Sequence, residues 1–384
     1  MAQRYVHIDV DVRQSPKHPN GPCGDVVAQQ RTERATDVIV CDGIGSGMRA
    51  YIAATLHVSR LQSLLREGFS LRRAFSSLVG TLQAWRDPSQ PYAAVSVARV
   101  LNDGEATILT YDAPAPVLVG RNSAMALPSR PLVVGHSVAR QSNCFLGPGE
   151  GLLLLTDGIT QAGIGRGPTE GWTSEGVAEY VSRRLSRSSG LRHVAEAVHD
   201  EALRLDGNVF RDDMTAVLAR CRDGQTLNLF TGPPADRRAD EAVVRRFLAM
   251  DGAKVVCGAT TAAIVAKALG RKLAVERSPV SLIAPPKYEL AGIDLVTEGA
   301  VTLNQLCNIL DVAVEEFEEV NPVTELAEML HRADRVHVIV GRGANPANDS
   351  LGFKQQGILR RQRVVPLLVE KLRGRGKLVV TSEA

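Results

Sequence analysis

Aromatic residues are scarce: Phe, Trp and Tyr make up only 4% of the 384 residues. The core must therefore be built from Val, Leu, Ile and Ala, and few rings remain to stack nucleic-acid bases. Neither charge sign dominates. Forty-five Lys and Arg against 42 Asp and Glu leave a net +3, too little to set up an attractive field for a polyanion, so no nucleic-acid partner is expected. Long hydrophobic runs are absent as well. The longest aliphatic block, Leu152 to Leu155, is far too short to cross a bilayer, and the opening MAQRYVHIDVDVRQ has acids where a secretory signal has an apolar core. Six cysteines are scattered without any CxxC pair, which excludes a disulfide framework and a zinc ribbon. These absences together describe a cytoplasmic protein with reduced thiols and no membrane partner.

What is present is ordinary globular material, 44% hydrophobic and 23% charged, long enough for two or three domains at roughly 150 residues each. Tyr5 to Val10, Cys23 to Gln29 and Asp37 to Cys41 read as strands that neighbour one another in one sheet. Helical periodicity follows from Gly47 to Arg66, carried by Ile52, Leu56, Ser59 and Leu64, and again from Ser70 to Trp85. Ala93 to Leu101 and Ala106 to Tyr111 form a hairpin about Asn102-Asp103-Gly104, and Pro116 to Val119 is a further strand. Gly151 to Thr156 and Met214 to Arg220 are strands, with helices at Glu175 to Leu185 and Leu191 to Leu205 between them. The grammar is antiparallel up to Cys221. Residues 223–239 collect Gly, Pro and charge and read as a linker. From 240 to 384 the order becomes strand, turn, helix, repeated, which predicts a smaller α/β domain.

Chemistry concentrates where apolar strands end in acids. DVIVCDGIGSGM places Asp42 at a strand end, before a glycine-rich turn that opens a helix. The stretch fails as a dinucleotide fingerprint, because Met48 stands where a third glycine is needed, and no Gly-Lys-Ser/Thr exists for a phosphate loop. Nor does Ser46 have glycines at the two-residue offsets of a hydrolase elbow. LLLLTDGIT delivers Asp157 in the same way, Asp212-Asp213 precede the last strand, and Asp25 lies in GPCGDVVA. If those strands share one sheet, the carboxylates converge and repel one another. Divalent cations remove that conflict, and a donor set of oxygen alone suits Mg²⁺ or Mn²⁺ over zinc.

Gly24-Asp25, Asp42-Gly43-Ile44-Gly45-x-Gly47, Thr156-Asp157-Gly158-Ile159 and Asp212-Asp213-Met214-Thr215 stand in the order found in the SpoIIE-type branch of the metal-dependent Ser/Thr protein phosphatases (PPM family), which residues 1–222 resemble. The resemblance implies an αββα two-sheet sandwich of the α+β class. It implies two Mn²⁺ or Mg²⁺ ions, with Asp42 bridging them, Asp157 and Asp212 completing one site, and Asp25 with the Gly43 carbonyl supporting the other. Asp42, Asp157 and Asp212 would act through metal-bound water, since paired ions can generate a hydroxide for in-line attack on phosphorus. Asp213 takes a position that is Asn in the wider family and is either a ligand or an indirect support. Asp112 to Pro116 replaces a turn in which relatives often carry glycine.

The expected activity is therefore hydrolysis of phosphoserine or phosphothreonine on a regulatory protein, in signal transduction. Two other readings stand beside it: a degenerate scaffold of the same fold, against which the retained acids count, and a phosphohydrolase of small molecules or nucleotides. Asp9 and Asp11 read as solvated, and His193 and His199 as surface histidines. In the second domain, Gly258-Ala259-Thr260-Thr261 opens a helix where either a small anion or simple N-capping by Thr fits, capping being favoured. Thr297-Glu298-Gly299 and Gly341 to Asn345 end two more strands, so a ligand crevice at the carboxyl edge is compatible with the pattern. Homo-oligomerisation is equally compatible. Because the resemblance starts at the first residue, control is expected from the second domain or a partner.

Overall fold

The structure, a computed structural model, describes residues 5–84, 92–166, 169–187, 190–275, 285–343 and 358–384. Trp85, Ala344 and Asn345, which the sequence reading included, lie outside them. The chain forms two compact units, one of Val6–Asp223 and one of Gly224–Ala384 together with Tyr5.

The first unit is a sandwich of two antiparallel sheets. One contains β1 (Val6–Ser15), β11 (Met214–Asp223), β10 (Gly151–Leu155), β6 (Val117–Val119) and β7 (Ala124–Ala126), in that spatial order. The other contains β2 (Asp25–Arg31), β3 (Ala35–Gly43), β4 (Ala93–Leu101), β5 (Glu105–Tyr111), β9 (Ser137–Phe145) and β8 (Arg130–Val134). Alternation along the strands sends Val38, Val40, Ala98 and Ile108 inward to meet Ile8, Leu152, Leu154 and Val217 of the facing sheet. The opposite faces are apolar too. Ile39, Cys41, Val95 and Val97 pack under helices α1 (Met48–Arg66) and α2 (Leu71–Ala84). Leu153, Leu155, Ala216 and Leu218 pack under α4 (Thr173–Leu185) and α5 (Val194–Leu205). The layers are thus αββα, as the resemblance implied.

Four local expectations fail. The first three strands do not share a sheet, because β1 pairs with β11 at the far end of the domain sequence, Val6 opposite Asp223. That pairing also explains Asp9 and Asp11: they are not simply solvated but hold Arg222 (2.8 Å) and Arg220 (2.5 Å) across the ladder. In α1, Ile52 and Leu56 face solvent, while Ala50, Ala53, Ala54, His57, Val58, Leu61 and Leu65 are buried. Alanines take the inner face of the first turns, where Ala50 lies against Gly43 at the end of β3; His57, Val58, Leu61 and Leu65 take it beyond them. His199 is buried on the inner side of α5, whereas His193 is exposed.

The second unit is a doubly wound sheet. Five parallel strands stand in the order β16 (Leu295–Thr297), β13 (Ala253–Cys257), β12 (Thr226–Thr231), β17 (Arg335–Val340) and β18 (Leu378–Glu383). An antiparallel edge of β14 (Ala274–Val275) and β15 (Lys287–Glu289) follows β16. Helices α6 (Asp240–Ala249) and α7 (Ala259–Leu269) cover one face, and α8 (Ala300–Ile309), α9 (Pro322–Arg332) and α10 (Arg361–Gly374) the other. Burial on both faces is what parallel strands require. Residues 223–239 are accordingly not a plain linker: Thr226–Thr231 is the central strand. Gly224 before it and Gly232-Pro233-Pro234 after it dominate the composition of the window and mask a six-residue strand whose apolar residues are Leu227, Leu229 and Phe230.

Candidate active site

The acids meet at one edge of the sandwich, contributed by both sheets instead of one. Asp25 begins β2 and stands directly opposite Asp42 near the end of β3, a pairing that brings side chains within about 5 Å. Asp157 starts the short helix α3 (Asp157–Thr160) after β10, and Asp212 and Asp213 lead into β11, the neighbour of β10. Gly43 is obligatory here. A Cβ at that position would lie 2.1 Å from the carbonyl oxygen of Ala50, so glycine lets the first turn of α1 settle on the end of β3.

Asp25 is 2% exposed. Its Oδ2 accepts hydrogen bonds from the hydroxyls of Thr156 (2.9 Å) and Thr215 (2.6 Å), one residue before Asp157 and two after Asp213 in sequence. The Thr215 hydroxyl in turn accepts from Gln14 Nε2 (3.0 Å). Its Oδ1 is buried with no hydrogen-bond partner, and an orphaned carboxylate oxygen is costly unless something positive meets it.

The electrostatics follow from this crowding. Burial, reinforced by the charges of Asp25, Asp157 and Asp212, pushes the Asp42 carboxyl up to about 10. Burial likewise raises Asp25 to about 6, against the downward pull of the two threonine hydroxyls and with the charges of Asp213 and Asp157 adding to the rise. Asp212 is raised by burial and by Asp157, with the Asp213 N–H and Lys17 opposing. Lys17 Nζ stands 3.9 Å from Asp212 Oδ1. Among the described residues, no group of three or more His, Cys, Asp or Glu side chains is arranged to hold a single ion. The charges of Asp157 and Asp212 both act on Asp42, so the three carboxyls are near neighbours without forming a closed ligand set. Mg²⁺ in particular tolerates such a site, because it retains several waters and needs only one or two carboxylates.

Asp213 has both oxygens engaged: Oδ1 accepts from the Lys17 N–H (2.8 Å) and Oδ2 from the Gly24 N–H (3.0 Å). It ties the loop before β2 to the start of β11. Asp157 accepts from Gln161 Nε2 (3.0 Å). At the replaced turn, Asp112 adopts φ +52° and accepts a hydrogen bond from the Tyr92 hydroxyl, so an aspartate occupies backbone space that favours glycine.

Sequence reasoning gave no role to Thr156, Thr215, Lys17 or Gln14. Both threonines lie inside the quoted motifs, and the signal was available there: a hydroxyl beside each acidic strand end. Lys17 carries no local signature, since its partners Asp212 and Asp213 are nearly two hundred residues away; Gln14 donates both to the Asp25 carbonyl, 11 residues on, and to the Thr215 hydroxyl, 201 residues on.

Residues 32–222 match the family model described as Stage II sporulation protein E (SpoIIE). Solved structures similar to this chain include the PP2C phosphatase domain with a fragment of the regulatory domain of SpoIIE from Bacillus subtilis. That structure is 18% identical, with 57% of this chain and 64% of that chain covered, at a TM-score of 0.49; the match thus spans less than two thirds of its length. The RsbU and RsbW domains of a Mycobacterium tuberculosis protein match at 17% identity over 64% of this chain and 68% of that one, TM-score 0.49. The SiaA-PP2C domain of Pseudomonas aeruginosa matches at 19% over 55% and 84%, TM-score 0.43. No curated protein matches the chain.

Proposed function

Since the Val6–Asp223 domain belongs to the SpoIIE-type branch of the PPM phosphatases, we propose that this protein is a Mn²⁺- or Mg²⁺-dependent phosphatase acting on phosphoserine or phosphothreonine of a regulatory protein in the cytoplasm. The observation that carries the reading is the meeting of Asp25, Asp42, Asp157 and Asp212 at one edge, with Asp25 Oδ1 buried and unpaired. A hard oxygen donor set with an orphaned carboxylate oxygen fits divalent cations of the Mg²⁺ type. Asp25, Asp42, the Gly43 carbonyl, Asp157 and Asp212 would hold two such ions. When bound, these ions supply the Lewis acidity that ionises a water and neutralises phosphoryl oxygens.

The chain's own part is positioning. Thr156 and Thr215 fix the Asp25 carboxylate and favour its charged form. Asp213, spent on two backbone N–H groups, aligns the β2 start with the β11 start and acts as a support, not as a ligand. Lys17 holds a positive charge at the rim beside Asp212, where an incoming phosphate dianion is drawn in. Among the described residues no helix is long and apolar enough to cross a membrane.

Turnover of an aryl phosphate in Mn²⁺, comparing the native chain with Asp42→Asn, tests the reading. Activity is expected in the native chain, abolished by EDTA and by the substitution. Turnover that survives Asp42→Asn would remove the carboxylate cluster from the chemistry. Preference for a phosphopeptide over nucleotides in the same assay separates a protein substrate from a small one.

A further inference from the structure

The doubly wound unit has its own candidate site, independent of the carboxylate cluster. Its parallel strands follow the order 3-2-1-4-5, so the chain reverses direction across the sheet between β12 and β17. Crevices at such switch points, at the carboxyl ends of the strands, are where open α/β sheets bind ligands. What occupies this crevice is a guanidinium. Arg361, the first residue of α10, lies over Gly232 just beyond β12 and donates from Nη2 to the Gly343 carbonyl (2.8 Å).

The turns are shaped for it. A Cβ on Gly232, which has φ +85°, would lie 2.0 Å from Arg361 Nη1, and one on Gly341 would lie 2.1 Å from the Gly232 carbonyl. Two glycines therefore keep the arginine seated at the switch point. Its charge is not matched: Arg361 makes no ion pair with any carboxylate among the described residues, and its Nε is buried without a partner. Burial lowers its affinity for the proton, the direction expected of a cation short of compensation.

Beside this group is a cavity of about 980 Å³, at the upper end of the range for small-molecule sites. Val340, Val365, Pro366 and Val369 give it an apolar wall. Its charged lining is Arg342, Arg361 and Arg373 against Glu370 and Glu383, with Arg342 paired to Glu383. The N-terminus of α10, a helix of 14 residues without a side-chain cap, opens at the same place, and its positive end adds to the guanidinium. Two positive features at one end and an apolar wall beyond it fit a dianionic head on an apolar body.

We propose that the second domain binds a nucleotide-sized organic phosphate, its phosphate on Arg361 and the N-terminus of α10 and its apolar body along Val365, Pro366 and Val369. A planar guanidinium suits the fork geometry of phosphate oxygens.

Calorimetric titration of the full chain in EDTA, where the carboxylate centre is inactive, tests this with adenosine monophosphate as probe and adenosine and inorganic phosphate as controls. Adenosine monophosphate is expected to bind at least about tenfold more tightly than either control, as a charge-assisted head contact predicts. Arg361→Gln should reduce it to the level of adenosine, and Arg361→Lys should retain part of the affinity. Asp42→Asn should leave binding unchanged, which separates this site from the phosphatase reading. Gln362→Trp, at an exposed position on the cavity wall, should block binding while leaving Arg361 and the fold intact, as checked by circular dichroism. Equal binding of adenosine monophosphate and adenosine, no binding of the nucleotide, or undiminished binding in a folded Arg361→Gln variant would each overturn the proposal.

Discussion

Replacing Asp42 by Asn should stabilise the metal-free protein while destroying its response to metal. The carboxyl is raised from 3.8 in the unfolded chain to about 10 in the fold. A group whose folded value is raised contributes stability that is fully present below about pH 4 and is progressively lost as the pH climbs toward 10, because the unfolded chain ionises first. At pH 7 the loss spans about three pH units, or about 4 kcal/mol at 1.36 kcal/mol per unit. Asparagine has no proton to lose. The advantage of Asp42→Asn over the native chain should therefore be near zero at pH 4 and grow steadily as the pH rises toward 10. Urea unfolding in EDTA at pH 5, 7 and 8 measures it. Both tryptophans of the chain, Trp85 and Trp172, precede Asp223, so selectively excited tryptophan fluorescence reports on this domain alone. Adding Mn²⁺ should stabilise the native chain, increasingly so at higher pH as the ligands ionise, and leave the variant unmoved. A variant less stable than native at pH 8, a difference flat with pH, or an undiminished gain from Mn²⁺ would refute the reasoning.

Thr215→Val removes the 2.6 Å hydrogen bond that favours ionised Asp25, so Asp25 should rise above about 6 and the acid limb of the kcat/KM profile should move to higher pH. Gly43→Ala sets a methyl 2.1 Å from the Ala50 carbonyl and should cost about 3 kcal/mol in urea unfolding, the upper range for overpacking, together with most of the activity. Asp37 is fully buried and grips Arg99 through two hydrogen bonds of 2.6 and 2.7 Å. Asp37→Asn should lower stability by about 3 to 5 kcal/mol, because it strands the arginine, without changing the metal dependence of the residual activity.

The strand ends carrying Asp42 and Asp157 were legible because an apolar run broken by Asp-Gly is a local pattern, and the domain's antiparallel character followed from hairpin signals. The sheet assignments were not legible. Nothing near Tyr5 announces that β1 pairs with residues beyond 213, and register between strands so far apart is decided by which faces become buried. Strands β7, β8 and β9 were missed because their burial is shallow or broken, with Met125, Val133, Val138 and Phe145 exposed. In the second domain, the favoured capping role of Thr260 or Thr261 is corrected: Gly258 is the N-cap, at φ 120° with no side-chain hydrogen bond, a conformation reserved to glycine. The central strand β12 was hidden by its neighbours' composition.

The clasp on Asp25 joins residues 131 and 190 positions apart. A nascent chain leaving the ribosome thus holds its first acid from early on but cannot secure it until β11 has emerged, so abortive translation products carry no half-built centre. Such distant closure also slows the search for the native topology, and it leaves Asp25 unclasped in any chain whose first domain is not wholly synthesised.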